Sequence, residues 1–508
     1  MNTNNTTYDL LIIGAGPAGY MAAERAGQTG LKTLLFDKKY LGGVCLNEGC
    51  IPTKTLLYTA KIYESARSGI KYGIHADNVR YDFPAIMKRK DKVVKKLVAG
   101  VGNTLKKYGV ETIFQQAYIK GKTSKGFVVE SEGTEFLAKN LLIATGSEPV
   151  IPDIPGLQQL NYFTNREILQ IPEIPEELTI LGAGYVGIEF AAFFSAMGTK
   201  VTVVELMPEI LPGMDRDIIR FVKQELSDKN VEFKLSSKVI GIEKNNLIVG
   251  TAQEIPYKAS TGTINGISPE EAHGNGNEAS TKTKTGIETG NDQDISQDAE
   301  AVSAQDRIPF KNLLISIGRK PTVENIGLEN LGTEFSGHGI KTDFQCRTNI
   351  PNVYAAGDVN GISMLAHTAY REAGVVVNNL SGRRDQVRYN TIPTVVYSNP
   401  ELASVGLTEE MARENNINYE ARQMPMAYSG RFMAENEGKN GLAKILVGKK
   451  YGEILGVHLA GNPASELIWG AAMMIENELR LKDVEEIVFP HPTVSEILRE
   501  TIFSFKGS

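Results

Sequence analysis

Cysteine is scarce in this chain: Cys45, Cys50 and Cys346 are the only three among 508 residues. So few exclude a disulfide-stapled secreted scaffold, and two of them close together point to redox or metal chemistry instead. No single sign of charge dominates either. The formal net charge is −6, from 54 basic and 60 acidic residues, and gives no reason to expect a nucleic-acid partner. No apolar run reaches the roughly 18 residues of a membrane helix, so no membrane partner is expected. The opening MNTNNTTYDL holds neither Arg nor Lys and leads directly into an apolar run. Neither a cleavable leader nor a carrier domain ahead of the first strand is expected, and the chain reads as cytoplasmic. What remains, 42% hydrophobic and 22% charged residues, is ordinary globular composition, and the length implies two to four domains.

An internal repeat organises the chain. YDLLIIGAGPAGYMAAERAGQTGLKTLLFD (8–37) and ELTILGAGYVGIEFAAFFSAMGTKVTVVE (177–205) each read as apolar strand, G-x-G-x-x-G turn, apolar helix and second strand ending in an acid. The glycines are Gly14, Gly16 and Gly19, then Gly182, Gly184 and Gly187; Asp37 and Glu205 each follow the first glycine by 23 residues. The first glycine permits a tight turn, the second lets the backbone approach a pyrophosphate, and the third lets helix pack on strand. The acid accepts hydrogen bonds from ribose hydroxyls, and the helix N-terminus favours the anion. One such motif is weak evidence, since glycine turns without a ligand are common. Two complete copies imply two dinucleotides, and a flavin with a nicotinamide is the natural pair for stepwise electron transfer.

The stretch from about 251 to 305 is rich in Gly, Ser, Thr, Asn, Asp and Glu, and reads as a low-complexity insert in the second nucleotide unit. Beyond it, FKNLLISIG and VYAAGD (353–358) read as strands and about 366–380 as a helix. From 390 onward an antiparallel sheet with covering helices is expected.

GGVCLNEGCIPTK (42–54) carries the strongest chemical signal. Four residues separate Cys45 from Cys50, about one helical turn plus a step. Gly42, Gly43 and Gly49 allow close backbone approach, and Pro52 can distort a helix start. Zinc would need about four ligands, and no second Cys/His pair has suitable spacing. Two buried free thiols are the bland alternative. A redox disulfide beside the first nucleotide unit is the preferred reading.

This segment resembles the redox-active region of the class I pyridine nucleotide-disulfide oxidoreductases, the family of dihydrolipoamide dehydrogenase, glutathione reductase and mercuric reductase. The likeness runs from Asp9 to Arg499, broken by the insert, and its details are most similar to the dihydrolipoamide dehydrogenases. It implies an α/β fold with two Rossmann-like FAD- and NAD-binding domains and a C-terminal α+β dimerisation domain. The expected division is 1–148 and 317–388 for FAD, 149–316 for NAD, and 389–508 for dimerisation. It implies that Cys45 exchanges with substrate, that Cys50 lies against the flavin, and that Lys54 stands near the flavin with Glu189 as partner. It further implies cofactor contacts at Thr145 and Gly146 of LLIATGSEP, at Gly318, at Asp358 of AAGDV and at Ala366, where a helix start faces the flavin ring. His367 beside it is given no catalytic role.

FPHPTVSE (489–496) resembles the family's C-terminal H-P-T-x-S-E element. A thiol substrate needs a base near neutral pH, which suits a histidine, and Glu496 is placed to orient His491. NAD rather than NADP is expected, because Glu205 would repel a 2′-phosphate and LMPEILPGMD supplies no basic cluster. The resemblance therefore implies oxidation of dihydrolipoamide to lipoamide with reduction of NAD+. It implies a homodimer serving lipoyl-carrier proteins of a 2-oxoacid dehydrogenase complex or of the glycine cleavage system. A glutathione reductase-like enzyme and a non-catalytic flavoprotein subunit are the alternatives.

Overall fold

Two sheets with parallel cores and one antiparallel sheet account for the three kinds of sequence. The structure, a computed structural model, describes residues 2–251 and 306–505. In the first sheet Glu111–Ile113, Thr33–Phe36, Asn2–Ile13 and Thr134–Ile143 lie side by side, all parallel. The last of these strands is shared. Its first half pairs antiparallel with Gly126–Ser131, its second half parallel with Val353–Ala355. A strand from far down the chain thereby completes the first sheet and brings Gly357 and Asp358 beside the first glycine turn. The second sheet repeats the plan with Glu232–Lys234, Lys200–Val204, Glu177–Leu181 and Leu313–Ile315, again parallel.

These strands are continuous apolar runs because both faces are covered, by helices where Leu10 and Ile12 join Ala22 and Ala373, and by antiparallel strands where Leu11 and Ile13 join Ile119, Phe127 and Val129; Leu10, Leu11 and Ile12 are wholly buried, as is Ile180. The helices that matter for the site are α1 (Pro17–Gln28), α2 (Gly43–Asn47), α3 (Cys50–Arg67), α4 (Phe83–Lys107), α5 (Tyr185–Ala196), α6 (Arg216–Asp228) and α7 (Ala366–Leu380). Helix α5 is apolar nearly all round, and Gly187 to Phe194 are buried without a break.

The two glycine turns are near copies. Gly14 has φ +107° and Gly182 φ +104°; a Cβ on Gly14 would stand 2.2 Å from the Ala144 carbonyl oxygen, and one on Gly182 would stand 2.6 Å from that of Ser316. A Cβ on Gly19 or Gly187 would strike its own turn, at 1.8 and 2.0 Å. Backbone approach, not flexibility, is what these positions demand.

Residues from Thr394 on form a five-stranded antiparallel sheet in the order Thr394–Val396, Leu402–Gly406, Ile454–Ala460, Leu442–Gly448, Tyr419–Pro425. Helices Ala464–Glu476 and Glu496–Phe503 pack on it around Val457, Ile468 and Ile497. Strands Asn246–Thr251 and Asp306–Pro309 are antiparallel neighbours, with Val249 opposite Asp306. The insert expected at about 251–305 lies, past Thr251, outside the described residues. Among the described residues no helix is long and apolar enough to cross a membrane.

Candidate active site

The cysteine pair is held by a break between two helices. Gly42, at φ +90°, precedes α2, and a Cβ on Gly43 would stand 2.6 Å from Gly16 Cα, so the loop crosses directly over the first glycine turn. Asn47 locks it by donating from Nδ2 to the Leu41 and Gly43 carbonyls, both at 2.9 Å. The sequence suggested one continuous turn between the cysteines. Instead the chain breaks at Glu48 and Gly49, Cys45 sits in α2, and Cys50 is the first residue of α3. At Gly49 a Cβ would stand 3.2 Å from the Val44 carbonyl oxygen, so the tight break favours the residue without one.

The thiols are free and partly buried, and Cys45 donates a hydrogen bond to Cys50. That bond, burial and the neighbouring thiol push Cys45 far above its ordinary pKa. The same bond, with the Lys54 ammonium opposing burial, lowers Cys50 to about 7. The N-terminus of α3 adds to the preference for a thiolate there.

Lys54 lies one turn along α3. Its Nζ donates to Glu189 Oε1 and Oε2 of α5 at 2.9 and 2.7 Å, and stands 4.7 Å from the centre of the Tyr397 ring. Burial alone would lower Lys54, but the Glu189 carboxylate outweighs it and the net direction is upward. The Tyr397 N–H also donates to Glu189 Oε1, at 3.2 Å.

Cys45, Cys50, Lys54 and Glu189 line one cavity of about 2800 Å³ that also takes in Gly14, Gly16, Gly182, Gly184, Asp37 and Glu205. One small-molecule ligand needs roughly 300–1000 Å³, so this space suits two dinucleotides. Each acid closes its own turn: Asp37 Oδ2 accepts from the Ala15 N–H at 2.7 Å, and Glu205 Oε2 from the Ala183 N–H at 2.6 Å. A Cβ on Gly184 would meet nothing within 4 Å, which leaves the second turn open to the cavity.

Thr145, Gly146 and Gly318 meet where two connecting segments cross as a short ladder, Ser147–Pro149 against Arg319–Pro321. Asp358 faces the same space; burial raises its carboxyl, opposed by the Ser147 hydroxyl and by Arg319 at 3.9 Å. Ala366 opens α7, whose N-terminus carries no side-chain cap and so keeps free N–H groups at the cavity. This donor and acceptor set fits an FAD: an uncapped glycine turn for a pyrophosphate, carboxylates for hydroxyls, and amides for a polar ring edge. His367 is engaged elsewhere, with Nε2 2.7 Å from the Pro393 carbonyl.

His491 and Glu496 stand apart. They are not part of this cavity wall. His491 Nδ1 lies 3.0 Å from Glu496 Oε1, and its side chain is 79% exposed. Glu496 also accepts the Thr493 N–H at 3.0 Å; that bond and His491 hold its carboxyl below the usual range.

Sequence reasoning missed three supports. Arg319, next to the expected cofactor contact Gly318, clasps Ser147 through Nε and Nη2, both at 2.7 Å. Glu372 is wholly buried and accepts from the Gly357 N–H, the Asn360 amide and the Tyr389 hydroxyl, so it fixes the turn that carries Asp358. Burial pushes its pKa up to about 7 against those donors. Arg166 ties Glu48 of the cysteine loop to Glu148. The partners lie from 12 to 172 residues away, and no local motif announces them.

Comparison with known proteins gives a consistent picture. Residues 8–269 and 263–373 match the family described as pyridine nucleotide-disulphide oxidoreductase, and 392–502 match that family's dimerisation domain. The dihydrolipoyl dehydrogenase of Bacillus subtilis (strain 168) is 35% identical over 495 residues, 97% of this chain and 95% of that protein. That of Geobacillus stearothermophilus is 34% identical over 498 residues, 97% of this chain and 95% of its own. Among solved structures, the HOCl-induced flavoprotein disulfide reductase RclA from Escherichia coli matches with a TM-score of 0.77 at 26% identity, covering 97% of this chain and 99% of that one.

Proposed function

The chain belongs to the pyridine nucleotide-disulphide oxidoreductase family, and on that premise we propose that it oxidises the dihydrolipoyl group of a carrier protein to the disulfide, with NAD+ as acceptor. It is an oxidoreductase whose cofactors are FAD and NAD. The observation that carries the reading is the hydrogen-bonded Cys45–Cys50 pair beside the Lys54–Glu189 ion pair, in a cavity reached by both glycine turns. When bound, FAD supplies the two-electron transfer between the cysteine pair and NAD+.

In the oxidised pair, a substrate thiolate attacks Cys45 Sγ, the Cys45–Cys50 bond breaks, and Cys50 leaves as a thiolate. Lys54 and the N-terminus of α3 favour charge on Cys50. The second substrate thiol then attacks the substrate sulfur held by Cys45, closing the lipoyl ring and releasing Cys45. One substrate proton ends on Cys45, where it serves the hydrogen bond to Cys50. The other goes to His491 Nε2, since Nδ1 faces Glu496. His491 is remote from the cavity of its own chain, and we assign the one that serves Cys45 to the partner subunit of a homodimer. Residues 1–148 and 317–388 hold FAD, 149–316 hold NAD, and 389–508 form the two-fold contact. The carrier belongs to a 2-oxoacid dehydrogenase complex or to the glycine cleavage system, in the cytoplasm.

The test is anaerobic titration of the FAD-loaded protein with dihydrolipoamide. A long-wavelength thiolate–flavin band is expected at two-electron reduction. Cys50→Ser is expected to lose the band and Cys45→Ser to keep a thiolate near the flavin, both without turnover. Turnover in either variant, or NADPH-driven reduction of glutathione disulfide by the unmodified protein, would overturn the reading.

A further inference from the structure

We propose that the solvent face of α4 is a docking surface for an acidic carrier protein, which it guides toward Cys45; the proposal rests on the function proposed above.

Helix α4 carries eight Lys or Arg residues and one Asp within 25 residues, in a chain whose formal net charge is −6. At about 100° per residue, Lys88, Lys92, Lys95 and Lys106 fall on one line, flanked by Lys96 and Lys107 within about 120° of arc. At about 1.5 Å per residue the helix is about 37 Å long, the width of a small domain. All six of these lysines are exposed. Lys90 is turned the other way: it is buried, donates to the Leu169 carbonyl, and pairs with Asp91. The helix's one acid is therefore used by a lysine outside the stripe.

A lysine-rich helix face is often only a solvated face. Such faces normally intersperse acids that pair with lysines one turn away. Here Lys90–Asp91 is the only ion pair of α4 among the described residues. Elsewhere cations are matched: Lys229 meets Glu64 and Glu225, and Lys444 meets Asp215, Asp217 and Glu409. The stripe on α4 is uncompensated.

Its place in the fold gives it a direction. The apolar face of α4 packs Phe83 and Ile86 with Leu56 and Leu57 of α3, the helix that begins at Cys50. Arg89 Nη1 donates to the Thr55 carbonyl at 3.2 Å. Farther along, a Cβ on Gly102 would stand 3.3 Å from Leu41 Cδ1, at the entry to the cysteine loop. The stripe thus backs the elements that carry both cysteines. An acidic protein domain fits it by charge; nucleic acid or an anionic membrane is larger than one helix and would meet the net negative remainder of the chain. Complementary charge of this kind accelerates encounter by about 10- to 1000-fold at low salt and fades as ions screen it.

The test replaces Lys88, Lys92, Lys95 and Lys96 with Gln in the FAD-loaded enzyme. Two substrates are compared: free dihydrolipoamide, and a reduced lipoyl domain of a 2-oxoacid dehydrogenase complex chosen for its negative formal charge. We expect kcat/KM for the domain to fall about tenfold or more at low ionic strength, with a flatter salt dependence. Free dihydrolipoamide turnover and the flavin spectrum should not change. Equal kcat/KM for the domain before and after substitution would overturn the docking proposal, as would an equal loss with free dihydrolipoamide. So would binding of duplex DNA or phosphatidylserine vesicles that the substitution abolishes while the domain is unaffected. If the unmodified enzyme turns over neither substrate, the proposed function fails first. Calorimetry of the oxidised lipoyl domain with oxidised enzyme then tests docking alone, and absence of salt-sensitive binding would reject it.

Discussion

Lys54 Nζ lies 2.7 Å from Glu189 Oε2, across 135 residues of chain. The pair joins α3, which begins at Cys50, to α5, which follows the second glycine turn. Glu189 is buried, whereas 31% of the Lys54 side chain is exposed. Glu189→Gln leaves the ammonium without its counter-charge. Breaking a fully buried pair costs about 3–5 kcal/mol, and partial exposure places this one at about 2–3 kcal/mol. Lys54→Met/Glu189→Leu should recover part of that loss, because no lone charge remains. Denaturant melts of the parental protein and the two variants measure both effects; a double variant no more stable than Glu189→Gln would rule out the lone charge as the cause.

Cys50 links the same region to pH. Its folded pKa is lowered to about 7, with Lys54 among the causes, against about 8.5 for an unfolded cysteine. Between these values the unfolded chain binds more protons. The Cys50 contribution to stability should therefore grow as pH rises through that window and be lost as pH falls through 7; above about 8.5 Cys45, which the fold keeps protonated, acts in the opposite direction. Lys54→Met should raise the Cys50 pKa and narrow the window. Titration of thiolate absorbance in the reduced protein reads the shift directly; an unchanged midpoint would remove Lys54 from the account.

The two nucleotide units were legible because their chemistry is local. Glycine spacing, strand, helix and terminal acid occur within a single stretch, and Asp37 and Glu205 close their turns as paired copies. Cys45 and Cys50 were legible for the same reason, although the break at Gly49 was not, since a five-residue step reads equally well as one helix. Glu372 and Arg319 were illegible. Arg319 meets Ser147 only where Arg319–Pro321 crosses Ser147–Pro149, and Glu372 meets Gly357, Asn360 and Tyr389 only because α7 folds back over the turn before it and against the segment after it. The lysines of α4 went unread in the sequence and acquired meaning only when Lys90 and Asp91 proved to pair away from them.

Glu205 should set the choice of nicotinamide. Its Oε2 accepts the Ala183 N–H and its Oε1 the Met207 N–H at 2.8 Å, so the carboxylate stands at the mouth of the second turn. Glu205→Arg removes repulsion toward a 2′-phosphate and adds a partner for it. Each 1.4 kcal/mol gained is about tenfold in preference, and at least that shift toward NADP+ is expected. The same change opens the turn, so KM for NAD+ should rise. Equal kcat/KM of the unmodified enzyme with both nucleotides would contradict the assignment.

The stretch from 251 to 305 should be removable. Strands Asn246–Thr251 and Asp306–Pro309 are already antiparallel partners, with Val249 opposite Asp306 and Asn246 opposite Pro309. Joining Gly250 to Asp306 through a short Asn-Gly turn closes a ready-made hairpin. The shortened protein should fold, carry flavin and oxidise free dihydrolipoamide at the parental rate. Flavin content and the half-reaction with dihydrolipoamide check this; failure to bind flavin would make the segment structural.

Catalysis should require two subunits. Cys45 opens onto the cavity, whereas His491 lies outside its lining and is 79% exposed, oriented by Glu496 at 3.0 Å. A base so exposed, fixed through Nδ1, is suited to a thiol brought to it from another surface. A two-fold interface is isologous and generates two equivalent sites. Cys45→Ser and His491→Gln homodimers should each be inactive in lipoamide-linked turnover. Mixing them with subunit exchange gives heterodimers in which one site has both residues intact and the other has lost both. At equal amounts half of the dimers are mixed, each with one working site, so activity should return to about a quarter of the parental value. If the residues act within one chain, every site keeps one defect and mixing restores nothing. Glu496→Gln, which keeps the side chain's shape but removes its charge, should lower turnover by about tenfold or more while leaving the thiolate–flavin band intact.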